Sequence, residues 1–97
     1  MGGDRVEISG KKIMREQVKG EIIAFVTGRR ERPTLNQILG TVRSYVLGGP
    51  LTKEEIMQIL GEVEQGIKGG AIAPMSSRKM ERFSEIKEAI ENLLRKM

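Results

Sequence analysis

Three groups of residues in this chain have types and spacings that chemistry could use. The first is Gly61 to Lys68, reading GEVEQGIK, which holds the glycines and lysine of a phosphate-cradling loop. Its details fail, because Ile67 separates Gly66 from Lys68, neither Ser nor Thr follows, and Glu62 and Glu64 would face the phosphates. The second group is paired carboxylates, Glu54 with Glu55 and Glu62 with Glu64, as a general acid and base would need. Their charged surroundings offer nothing to split or raise a pKa, and adjacent helical residues diverge by about 100°. These residues belong to solvated surface, and no catalytic residue emerges.

The third group is basic. Arg29, Arg30 and Arg32 crowd before Pro33, and Arg78, Lys79 and Arg82 fall in the segment SRKMER. Arginine forks match phosphate oxygens two bonds at a time, so these six are the candidate nucleic-acid contacts. The competing role is local: cations at a helix C-terminus complement its dipole, and those in a first turn can pair with Glu81 and Glu85. Phe25, Tyr45 and Phe83 are the only aromatic residues and all lie on apolar stripes. No base-stacking platform is expected, and any nucleic-acid contact would be to the backbone.

What the chain lacks narrows its class. Without Cys there is no disulfide, zinc knuckle or thiol nucleophile, and without His the commonest general base and metal ligand are gone. We therefore expect a non-enzymatic protein with no catalytic, cofactor-binding or metal-binding residues and no small-molecule substrate. The longest apolar run is Ile22 to Val26, too short for a membrane span, and MGGDRVEISG lacks the apolar stretch of a secretory signal. Val6 stands where a myristoylation pattern wants Ser or Thr. A soluble cytoplasmic protein without membrane contact is the expectation.

At 97 residues the chain makes one domain. With 38% hydrophobic residues but only 3% aromatic, its core must be aliphatic, which favours helix packing. The net charge is +4 and unevenly spread: eight cations oppose five carboxylates up to Pro33, whereas two oppose four between Leu51 and Gly70. That bias is weaker and less continuous than nucleic-acid proteins usually carry.

The elements that would position these residues announce themselves by repetition. EQVKGEIIAFVTGR from Glu16, NQILGTVRSYVLGG from Asn36 and MQILGEVEQGIKGG from Met57 align Gln17, Gln37 and Gln58, and also Gly20, Gly40 and Gly61, at a spacing of about 20 residues. A duplicated helical unit is one reading; the other is that glycine-ended amphipathic helices resemble one another. The spacing of Met14, Val18, Ile22, Phe25 and Val26 predicts a first helix over residues 12–27. Thr34 with Gln37, and Thr52 with Glu55, form capping boxes that open a second and a third helix, each closed by a glycine pair. Glycines 20, 40 and 61 sit inside helices at a cost of about 1 kcal/mol each, which predicts close approach of a neighbouring helix.

Residues 1–11 read as an extended arm or short hairpin, because Val6 and Ile8 alternate with polar neighbours before Ser9 and Gly10. After the linker GGAIAPM, Ser76 or Ser77 starts a last helix over residues 76–97. In it Phe83, Ile86, Ile90, Leu93 and Met97 form a heptad seam, flanked by Lys87–Glu91 and Glu91–Arg95 ion-pair spacings. The fold class is thus all-α, a small bundle of three to four short helices, with residues 12–70 holding three helical units for which duplication is one of the two readings.

From Leu47, LGGPLTKEEIMQILG resembles the first two helices of helix-turn-helix and winged-helix domains over about 15 residues. The resemblance implies a basic recognition helix next. Glu62 and Glu64 stand there instead and would repel a phosphate backbone. The expected function is therefore assembly, by self-association as a homo-oligomer or by docking on a protein partner through Phe83, Ile86, Ile90, Leu93 and Met97. The alternative is a small nucleic-acid-binding or transcription-regulatory protein gripping phosphates through its arginines.

Overall fold

The computed structural model describes residues 2–28, 33–70 and 77–97, with side chains for 10–28, 33–70 and 79–97. Its elements are four helices: α1 (Gly2–Thr27), α2 (Leu35–Leu47), α3 (Lys53–Lys68) and α4 (Ser77–Lys96). The expectation of an all-α bundle holds.

Helices α2 and α3 are built to one plan. Each opens on an extended threonine whose hydroxyl accepts from the backbone three residues on, while the side chain there reaches back to the threonine amide. In α2 these bonds are Gln37 N–H to Thr34 Oγ1 at 3.3 Å and Thr34 N–H to Gln37 Oε1 at 2.8 Å. Each helix ends on two glycines, the second left-handed: Gly49 has φ +93° and donates to Val46 O, and Gly70 has φ +76° and donates to Ile67 O. A side chain would strain that geometry, which is why glycine closes both helices. Pro50 has no amide to give, so Leu51 donates to Tyr45 O instead and drops its side chain into the core.

Pairs between helices fix their directions. Lys11 meets Glu55 and Lys19 meets Glu62, so α1 and α3 run parallel. Tyr45 meets Gln17 and Thr41 meets Glu21, so α2 runs antiparallel to α1. Lys87 on α4 lies 4.0 Å from Glu64, and Arg82 reaches Phe25 at the other end of the bundle, so α4 also descends. The order is up, down, up, down. Helices α1 and α4 each pack against all three others.

The core is entirely apolar among the described residues. Positions brought into register by aligning Gly20, Gly40 and Gly61 are buried alike: Val18, Ile38 and Ile59, then Ile22, Val42 and Val63. At roughly 2 kcal/mol for each buried Ile, Leu or Val, the five from α3 (Ile56, Ile59, Leu60, Val63 and Ile67) hold that helix in place.

Three expectations are corrected. The segment read as an extended arm or hairpin is helical from Gly2, because α1 is already held by its packed half and extending a formed helix costs far less than starting one. Glycines 20, 40 and 61 are open: a β-carbon built on any of them meets nothing within 4 Å, so they do not serve close helix approach. The α4 seam turns inward, with Phe83, Ile86 and Ile90 essentially inaccessible. Its fourth buried position is Leu94, while Leu93 and Met97 pack only partly. A heptad keeps its seam on one line only if helices supercoil, whereas a straight helix drifts about 20° per heptad and turns Leu94 toward the core.

Candidate docking groove between the first and third helices

One of the arginines to which the sequence assigned phosphate chemistry is spent elsewhere. Arg82 is half-buried against α1: its Nε donates to Phe25 O at 2.7 Å, and the guanidinium sits 4.5 Å from the Phe25 ring centroid. It closes the last turn of α1, where carbonyls lack helical partners. That use removes Arg82 from the candidate phosphate contacts. Lys79 is half-buried and has an interaction of its own. Arg29, Arg30 and Arg32 lie outside the described residues, as does the side chain of Arg78.

A different set of cations converges. Lys11, Arg15 and Lys19 recur every four residues and so line one flank of α1 with Lys12 beside them. They face α3 across a groove of about 500 Å³ into which Glu62 projects, with the buried Ile59 beneath. Lys19 lies 3.2 Å from Glu62 and Arg15 lies 3.5 Å from the same carboxylate. One carboxylate therefore serves two cations. Lys12 is exposed and has no partner among the described residues.

At the lower end the groove is locked. Lys11 Nζ sits 2.9 Å from Glu55, whose carboxylate also accepts from the Thr52 amide at 3.1 Å and the Thr52 hydroxyl at 3.2 Å. The bond from Lys11 pulls the Glu55 pKa below its ordinary value, against a smaller upward push from burial, and the Thr52 bonds assist. One residue thus caps α3 and ties it to α1.

The outer face of α4 carries the opposite charge. Glu81, Glu85 and Glu88 are exposed and unpartnered among the described residues. The ion pairs expected within α4 give way to other partners: Lys87 turns to Glu64 on α3, and Arg95 donates to Asn92, three residues back on α4. Among the described residues, Ile13, Leu47 and Met57 are the large apolar side chains left in water, one on each of three helices, and single residues of that kind are ordinary surface.

A polar cluster joins α1 to α2. The Tyr45 hydroxyl donates to Gln17 Oε1 at 2.6 Å, Gln17 Nε2 donates to Glu21 at 3.3 Å, and Thr41 Oγ1 donates to the other Glu21 oxygen at 3.2 Å. Tyr45 therefore works at its hydroxyl as well as on the apolar stripe.

The structure brings together Lys11, Lys12, Arg15 and Lys19, which the sequence reading passed over. The signal was a basic residue every fourth position. It was hidden by dividing that stretch between an arm and a helix.

Comparison with protein-family models, with curated proteins and with solved structures finds no match. No helix among the described residues is long and apolar enough to cross a membrane.

Proposed function

We propose that the chain is a non-enzymatic helical docking and assembly protein whose contact surface is the groove between α1 and α3, in place of the α4 seam. The observation that carries this reading is the groove's unfinished electrostatics. Glu62 is shared between Arg15 and Lys19, Lys12 has no counter-ion among the described residues, and Ile59 lies beneath. Exposed ion pairs of this kind are worth about 0–1 kcal/mol, so an incoming carboxylate can replace them at little cost. The seam has no such need, since Phe83, Ile86 and Ile90 are already satisfied within the chain.

A protein partner suits the groove better than nucleic acid. Glu16, Glu55 and Glu62 interleave with the four cations, and an unbroken line of phosphates would meet all three. A helix can place its charges selectively, each carboxylate opposite a cation.

The test is the solution mass of the protein over a range of concentrations at low salt, alone and with generic duplex DNA. A mass that rises with concentration in the absence of DNA is the expected result. A monomer at every concentration that shifts only when DNA is added would replace this reading with phosphate binding.

A further inference from the structure

The groove also carries information about what fills it. Lys12, Arg15 and Lys19 stand three and four residues apart, so they form one ridge about 10.5 Å long on α1. On α4, Glu81, Glu85 and Glu88 stand four and three residues apart and form a ridge of the same length on the exposed face. Read in opposite directions, the two spacings coincide.

We infer that the occupant of the α1 groove is α4 of a second copy of this chain, lying antiparallel, with Lys12 opposite Glu88, Arg15 opposite Glu85 and Lys19 opposite Glu81. This rests on the docking reading above and names its partner. Within one chain the pairing cannot form, because α4 meets α1 through its buried face, by Phe83, Ile86, Ile90 and Arg82, leaving the three glutamates outward. Between chains it brings three unpartnered carboxylates to a groove with too few.

The neighbouring charges leave room for this register. Lys11 is occupied by Glu55 and takes no part. Glu62 is the one α3 carboxylate paired with the ridge, and it is about half exposed, free to swing aside as Glu81 and Glu85 approach Lys19 and Arg15. Glu16 lies in the same groove one turn beyond Lys12, on the flank of the ridge.

Charge exchange tests the inference. One variant carries Lys12→Glu with Arg15→Glu, the other Glu85→Arg with Glu88→Lys. Each alone should associate at least roughly tenfold more weakly than the parent, since two favourable pairs become repulsive. Mixed in equal amounts they should recover the parent's mass, because each offers the ridge the other lacks. Association of the parent should also weaken as salt rises, as surface charge pairs do. Thermal melts check folding; should the α1 double variant not fold, the single exposed exchanges Lys12→Glu and Glu88→Lys make the same comparison.

Parental mass in both separate variants, or a mixture that stays dissociated, would overturn the pairing while leaving self-association standing. A parent that is monomeric throughout would remove the docking reading itself, and with it this inference.

Discussion

Arg82 and Gly61 show how far a residue's type determines its work. Arginine near a helix start could grip a phosphate or serve another backbone, and the answer depended on whether the end of α1 came within reach, which it does at 2.7 Å. A glycine in a helix records only a missing side chain; whether a neighbour fills the gap is a fact of packing. At Gly40 and Gly61 nothing fills it. Gly40→Ala and Gly61→Ala should therefore each stabilise the protein, by up to about 1 kcal/mol from helix propensity, seen as a higher urea midpoint. Lower midpoints would mean that something packs there after all. Glu55 gives a pH signature: its folded pKa is depressed, so its stabilising effect is present above the ordinary value near 4.5 and is lost as pH falls through the folded value. Glu55→Gln, which keeps a capping side chain but loses the charge that attracts Lys11, should flatten the fall in stability as pH drops below the ordinary carboxylate range. Identical acid curves for parent and variant would detach Glu55 from the α1 to α3 tie.

Helices announce their boundaries where local chemistry is strong. Both capping boxes and both glycine closures could be read directly, because each is decided within four residues. The start of α1 could not. Val6, Ile8, Ser9 and Gly10 favour extended or turn conformations locally, and the helix runs through them because its far half is anchored by Val18, Ile22 and Val26. The α4 seam was read with the right face and the wrong period. Leu93 and Leu94 are adjacent, both apolar, and whether the packed helix stays straight or supercoils chooses between them. Leu94→Ala should cost about 2–5 kcal/mol and Leu93→Ala distinctly less, measured by chemical denaturation. The reverse order would restore the heptad, and with it a supercoiled partner for α4.

For the whole molecule, the bundle completes its hydrophobic core alone and leaves its charges sorted, cations along one flank of α1 and carboxylates along the outside of α4. Composition and periodicity reached the all-α class, the aliphatic core and most of its residues, since these follow from patterns along one helix at a time. The groove depended on which helices become neighbours and in which direction they run, and no single stretch of sequence encodes that. An alternation of charge every three or four residues reads as solvated surface until a second ridge of matching length is found across a different helix. The central claim, that copies meet through the outer faces of α1 and α4 while the seam stays inside, is tested most directly by residue-resolved NMR on a dilution series at low salt. The account predicts concentration-dependent shifts at residues 12–19 and 81–88, with the methyl signals of Ile86 and Ile90 unmoved. Shifts confined to those seam methyls, or spectra identical at every concentration, would contradict it.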